Sequence, residues 1–158
     1  MARAGTFVHA TALVVGEAGV VIRGPSGAGK SRLAQLLLDE APLCGTFARL
    51  VGDDRVLVRV AGTHVVASPH PDIAGLLERR TQPFGRLPYE NGCVVRLVVD
   101  LHPPTVPLPR APDADEATAD LAGLGGLPLL RLQGPPDALS CRLVLEALRT
   151  RLDTVDEP

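Results

Sequence analysis

Residues 24–31 read Gly-Pro-Ser-Gly-Ala-Gly-Lys-Ser, which matches the phosphate-loop pattern G-x-x-x-x-G-K-[ST]. The apolar residues 19–22 precede this stretch and the leucine-rich residues 32–38 follow it, which is the strand–loop–helix order that the pattern requires. Glycines let the backbone turn its N–H groups inward around a polyphosphate, and the following helix adds partial positive charge at its N-terminus. An ordinary glycine turn before an amphipathic helix is the alternative. Because motif and context agree, the stretch predicts an α/β domain built around a nucleotide-binding loop.

Lys30 is the only lysine of the chain, since fifteen of the sixteen basic residues are arginine. A phosphate loop needs a compact ammonium on a flexible stem, and the planar guanidinium is the wrong shape for that role. We therefore expect Lys30 to reach the β- and γ-phosphates of a nucleotide and the Ser31 hydroxyl to bind Mg²⁺. The expected nucleotide-binding residues are Gly24, Pro25, Ser26, Gly27, Ala28, Gly29, Lys30 and Ser31.

The composition is that of an ordinary globular domain. The 158 residues are 46% hydrophobic and 22% charged, and the formal net charge of −2 provides no basic surface for nucleic acid. No apolar run approaches the roughly 18 residues of a membrane span, and the N-terminus lacks a signal-peptide layout. Cys44, Cys93 and Cys141 are widely spaced, which favours buried thiols in a reducing compartment. We expect one cytoplasmic domain without a nucleic-acid or membrane partner.

The predicted elements form a mixed sheet. A short buried strand at 20–22 enters the loop, and the first helix is expected over about 30–40, with Leu33, Leu36 and Leu37 toward the core and with Pro42 and Gly45 ending it. Alternating apolar residues at 56–60 and 64–67 predict a hairpin, so the sheet is not purely parallel.

The second half contains two further strands and a helix. Strands are expected at 94–100 and 129–132, and the proline-rich and acidic residues 102–126 between them are expected to form a long exposed or mobile connection. Asp137 is expected to cap a final helix that extends to about residue 152. Its apolar face is expected to contain Leu139, Leu143, Leu148 and Leu152.

Asp53 and Asp54 directly follow a predicted strand end at residues 50–51. Paired aspartates at a sheet edge suit Mg²⁺-dependent phosphoryl transfer, because one can hold the metal while the other accepts a proton from a hydroxyl. A polar turn with a capping aspartate would look the same, but the phosphate loop one step earlier favours the functional interpretation. Glu78 is a candidate Mg²⁺ ligand or a solvated partner of the adjacent arginines.

Four features of the chain occur in the order found in bacterial HPr kinase/phosphorylases. They are His9-Ala ahead of the first buried strand, the loop at 24–31, Asp53-Asp54-Arg55-Val56, and Leu-Leu-Glu-Arg-Arg at 76–80. Over about residues 7–100 the sequence resembles the short form of this family, which has the catalytic domain only. Members phosphorylate a serine of HPr, the phosphocarrier of the sugar phosphotransferase system, and can reverse the reaction.

The resemblance implies a single kinase domain over residues 1–158, with a fold related to phosphoenolpyruvate carboxykinases. It implies ATP and Mg²⁺ as cofactors, HPr as partner and a homo-oligomer, a hexamer in the long-form members, with residues 137–152 helping to dock HPr. The implied catalytic residues are His9, Lys30, Asp53, Asp54 and, as the counterpart of a later family arginine, Arg110. The implied metal ligands are Ser31, Glu78 and Asp54, and which aspartate is the base stays open.

Residues 81–85 read Thr-Gln-Pro-Phe-Gly, where the family signature continues as R-G-V-G-I. This segment serves both directions of the family's reaction, so its divergence leaves the dephosphorylating direction open. It also leaves two rivals for the function. One is a kinase of a small molecule on the same scaffold, and the other is a nucleotide-binding sensor that signals through a partner protein.

Overall fold

The computed structural model describes residues 4–77, 86–108 and 117–152, and the predictions for Glu78, for residues 81–85 and for Arg110 lie outside these residues. The strands are β1 (Thr6–Val8), β2 (Thr11–Val15), β3 (Ala18–Arg23), β4 (Ala48–Gly52), β5 (Val56–Ala61), β6 (His64–Pro69), β7 (Cys93–His102), β8 (Thr118–Leu121) and β9 (Leu124–Gln133). The helices are α1 (Lys30–Leu43) and α2 (Ala138–Leu152), with a single 3₁₀ turn at Pro71–Ile73. Neither α1 nor α2 is long and apolar enough to cross a membrane.

The sheet is mixed, as the sequence predicts. Strand β7 lies at its centre and pairs in parallel with β3 on one side and with β9 on the other. Strand β2 runs antiparallel between β3 and β4, and β8 pairs antiparallel with β9. The end of β3 and the end of β4 therefore lie near each other, which brings the phosphate loop and the two aspartates to one edge.

A smaller antiparallel layer is formed by β1, β5 and β6, and it joins the main sheet where β6 pairs with the start of β7. Its apolar side chains, among them Val56, Val58 and Val65, pack with Val21 and Val98 of the main sheet. The helices cover the opposite face. Because successive strand residues point to opposite faces, β3 gives Val20 and Ile22 to the helix side and Val21 to the other side.

Helix α1 extends three residues beyond its expected end at residue 40, and Pro42 lies inside its last turn. Pro42 removes one N–H donor from this last turn, and the helix continues for a single residue beyond it. The helix ends at Leu43, and Gly45 follows it two residues later with φ of 74°. The N–H groups of Gly45 and Thr46 bond to the carbonyls of Pro42 and Ala41, the pattern of a glycine-terminated helix.

Two predictions for the apolar helix faces need correction. Leu139 is 56% exposed, because the buried face of α2 is formed by Cys141, Val144 and Leu148. In α1, Leu33 and Leu37 are buried as expected, whereas Leu36 is only half-buried and lines the cleft described below. The Asp137 cap is confirmed, since the Ser140 N–H donates to Asp137 Oδ1 at 3.0 Å.

The expected connection over 102–126 is shorter in the structure. His102 ends β7, Thr118–Leu121 forms β8, and β9 begins at Leu124, well before the expected strand at 129–132. The proline and charge content of this segment favoured a loop, whereas the structure has a hairpin of β8 and β9. Its turn places Ala122 and Gly123 at positive φ. Residues 103–108 form an irregular loop, and 109–116 lie outside the described residues.

Candidate active site

The phosphate loop joins the end of β3 to the first residue of α1, Lys30. Two of its glycines are required by close packing. A Cβ on Gly24 would lie 2.5 Å from the Leu101 carbonyl oxygen, and a Cβ on Gly29 would lie 2.6 Å from Cδ of Pro136. Gly29 also has φ of 105°, a conformation that side-chain-bearing residues rarely adopt. The end of β7 and the segment before α2 therefore fix the shape of the loop.

The Lys30 ammonium lies against the loop itself. Lys30 is only 8% exposed, and its Nζ donates to the carbonyl oxygens of Gly24 at 2.9 Å and Pro25 at 3.2 Å. These carbonyls hold the cation at the concave side of the loop, where the helix N-terminus also directs its partial positive charge. A polyphosphate in this position would meet both charges, so the loop fits a nucleotide.

Asp53 lies in a polar pocket beneath the loop and is 4% exposed. The Thr11 hydroxyl donates to Asp53 Oδ1 at 2.6 Å, and the Ser31 oxygen lies 2.9 and 2.8 Å from the two carboxylate oxygens. A buried carboxylate needs such donors because it has lost its hydration. Ser31 and Asp53 together provide hard oxygen ligands next to the phosphate loop, and Mg²⁺ usually takes only a few protein ligands and completes its shell with phosphates and water.

Asp54 has a different partner from Asp53, since His9 Nε2 lies 3.0 Å from Asp54 Oδ1. Both side chains are about half exposed, at 49% and 59%. The Arg55 N–H bonds to the Asp53 carbonyl at 2.7 Å, which closes a three-residue turn around Asp54 at φ of 66°. This strained turn explains how adjacent aspartates acquire different partners.

These groups line one cleft of about 1090 Å³. Its wall includes His9, the loop from Ser26 to Ser31 and both aspartates. The remaining lining residues come from α1 and from two proline-containing segments: Arg32, Gln35, Leu36, Asp39, Pro104, Pro135 and Pro136. The cleft is large enough for a nucleotide, since ligand pockets are commonly about 300–1,000 Å³. It brings a phosphate-binding loop, an oxygen-ligand pair and a carboxylate–histidine pair together.

The structure brings together five predicted residues in one site, although 45 positions separate the first and the last in sequence: His9, Lys30, Ser31, Asp53 and Asp54. It pairs Ser31 with Asp53, whereas Asp54, expected as a metal ligand, contacts His9. Within the described residues no group of three or more His, Cys, Asp or Glu side chains forms a ready metal site.

Thr11 contacts the site, and the sequence did not predict this role. It is fully buried at the start of β2, and its hydroxyl fixes Asp53. Its only signal in the sequence is a polar residue at the beginning of an otherwise apolar strand, two positions after His9. Because such hydroxyls are common in strands, this one indicates a role at Asp53 only once β2 and β4 are known to be neighbours.

The cysteines form no part of the site. All three are free thiols, of which Cys141 is buried, Cys93 is half-buried and Cys44 is exposed, so the expectation of buried thiols fails for Cys44. Burial raises the pKa of the Cys93 thiol to about 11, and burial followed by the Glu40 charge raises that of Cys141 to about 11.

The fold and site define a mixed α/β domain with a phosphate loop. Comparison of the sequence with protein-family models and with curated proteins gives no match. Among solved structures, the chain is similar to the HPr(Ser) kinase/phosphatase from Coxiella burnetii, with a TM-score of 0.76 and 22% sequence identity over 96% of this chain and 93% of that one. The chain therefore has an HPr kinase-like fold, as the sequence resemblance implied.

Proposed function

We propose that this protein is an ATP- and Mg²⁺-dependent kinase that phosphorylates a serine of HPr or of an HPr-like carrier. The observation that carries the proposal is the convergence of Lys30, the Ser31–Asp53 pair and the His9–Asp54 pair on one cleft. The structural neighbour is described as an HPr(Ser) kinase/phosphatase, which supports the choice of acceptor. A cytoplasmic location and a homo-oligomer remain predictions from the sequence.

In the proposed reaction, the glycine loop and Lys30 would hold the β- and γ-phosphates, and Ser31 and Asp53 would hold the metal ion. Bound Mg²⁺ would supply charge neutralisation on the transferred phosphoryl group. Lys30 already lies at the loop carbonyls, so only its terminal ammonium has to move onto the nucleotide. Positive charges that are already in place before the substrate binds lower the activation barrier of phosphoryl transfer, because they stabilise the charge of the transition state.

We assign the base to Asp54. Its carboxylate is 59% exposed, lines the cleft and contacts His9, whereas Asp53 is buried between two hydroxyls. Asp54 takes the seryl proton as the seryl oxygen bonds to the γ-phosphorus, and the bond between that phosphorus and the β–γ bridging oxygen breaks to release ADP. His9 orients the carboxylate for this step.

The test is transfer of labelled phosphate from ATP to purified HPr with Mg²⁺, using the wild type, Lys30→Ala and Asp54→Asn. We expect seryl phosphate from the wild type, loss of nucleotide binding in Lys30→Ala, and retained binding without transfer in Asp54→Asn. Arg59→Gln serves as a control, because Arg59 lies on β5 outside the cleft.

A wild type that binds ATP but labels no serine on HPr would overturn the proposal. Phosphorylation of a metabolite instead would identify a small-molecule kinase, and nucleotide binding without any transfer would identify a sensor. Incubation of the phosphorylated product with the enzyme and inorganic phosphate measures the reverse direction in the same experiment.

A further inference from the structure

A second, smaller cavity of about 330 Å³ adjoins the catalytic cleft. It is lined by Phe7, Val8, His9, Asp54 and Arg55. His9 and Asp54 are the residues that this cavity shares with the cleft, and no residue of the phosphate loop lines it. The histidine–carboxylate pair therefore lines two cavities, one with the phosphate loop and one without it.

The walls of this cavity come from the pairing of β1 with β5, in which Val8 lies opposite Val56. Phe7 is 45% exposed, and its ring lies 4.8 Å from that of His70. The Arg55 guanidinium carbon is 6.0 Å from the centre of the Phe7 ring. The Arg55 side chain makes this ring contact and forms no ion pair with any of the described residues.

The chemistry of phosphoryl transfer gives the cavity a role. The attacking and leaving oxygens are roughly in line, so the acceptor reaches the phosphorus from the side opposite to the departing nucleotide. With phosphates on the loop side of Asp54, the acceptor has to approach from the side that lacks loop residues. The smaller cavity lacks loop residues and is lined by the carboxylate assigned as base.

We propose that the smaller cavity is the acceptor subsite and that it selects an acceptor with a carboxylate close to its hydroxyl. Arg55 binds that carboxylate, which offsets its repulsion from Asp54, and the Phe7 ring packs on the adjoining apolar atoms. This inference rests on the proposed kinase function. The carboxylate belongs either to an acidic side chain beside the serine of a protein or to a small hydroxy acid.

The experiment measures steady-state transfer from ATP by the wild type, Arg55→Gln, Phe7→Ala and the control Arg59→Gln. HPr and free L-serine are used as acceptors, and a response with one or the other identifies the source of the carboxylate. An exposed ion pair contributes up to about 1 kcal/mol, so we expect Arg55→Gln to raise the acceptor KM about fivefold. ATP affinity, which also reports folding, is expected to stay unchanged in all four proteins.

The salt dependence of the acceptor KM distinguishes a charge interaction from a general structural effect, which would not change it. Raising the ionic strength from about 0.05 to about 0.3 M screens exposed charges, so the acceptor KM of the wild type should rise while that of Arg55→Gln stays nearly constant. Phe7→Ala should raise the acceptor KM and keep the salt dependence, because Arg55 is retained.

The subsite is overturned if Arg55→Gln transfers phosphate with the same acceptor KM and the same salt response as the wild type. The kinase function is unaffected by that result. Absence of transfer by the wild type to either acceptor would instead overturn the kinase function together with this inference. The two failures are therefore distinguished by the wild type alone.

Discussion

The Thr11 hydroxyl donates a 2.6 Å hydrogen bond to Asp53 Oδ1, and both residues are buried although 42 positions separate them in sequence. The contact exists because β2 and β4 are neighbours, with Ala12 paired to Gly52. It fixes the carboxylate that faces Ser31, so its effect on the site passes through Asp53. Thr11 is thus a positioning residue.

We predict that Thr11→Val weakens both stability and metal use. Valine has the shape of threonine but lacks the donor, and leaving a buried charged group short of a hydrogen bond costs about 1–3 kcal/mol. Urea unfolding should show this loss, and titration of activity with Mg²⁺ should show a higher metal requirement. Thr11→Ser keeps the donor and should restore the metal requirement, even if the lost methyl group lowers stability. Equal Mg²⁺ curves for Thr11→Val and the wild type would contradict the role.

A second prediction separates backbone strain from chemistry at Asp54. This residue has φ of 66°, which asparagine tolerates better than most residues with a side chain and alanine does not. We expect Asp54→Asn to unfold at nearly the wild-type urea concentration and Asp54→Ala to lose about 1 kcal/mol. Both should lose phosphoryl transfer, because neither accepts a proton. If Asp54→Asn kept substantial transfer, the base would have to lie elsewhere.

A third prediction concerns the phosphate loop. Gly27 and Gly29 both have positive φ, but a Cβ at Gly27 meets nothing within 4 Å, whereas one at Gly29 would lie 2.6 Å from Pro136. Gly27→Ala should therefore cost about 1 kcal/mol from backbone strain alone. Gly29→Ala adds a collision with the segment before α2 and should lower both stability and ATP affinity much further. Unfolding and nucleotide titration of the two variants check this, and equal losses would exclude the packing argument.

The sequence predicted the parts of this site that depend on local pattern. The glycine loop and the strand–loop–helix order are contiguous, and Lys30 and Ser31 lie at the start of α1, as this order predicts. The distinct partners of Asp53 and Asp54 could not be predicted, because they depend on a three-residue turn and on His9, which lies on a neighbouring segment. The β8–β9 hairpin was missed for a similar reason: its pairing with β7 outweighs the weak strand preference of a glycine-rich segment.

The last prediction uses the cysteines as reporters of the folded state. The ordinary thiol pKa of 9.0 is raised to about 11 at Cys93 and Cys141, so at pH 8 their thiolate fraction falls roughly a hundredfold. Thiolate is the reactive form, and raised pKa values therefore mean slower alkylation below pH 11. We expect iodoacetamide at pH 8 to label the exposed Cys44 first, with Cys93 and Cys141 reacting at comparable rates only after unfolding in urea. Mass spectrometry of peptides over time gives the three rates. Rapid labelling of Cys141 in the native protein would show that α2 separates from the core.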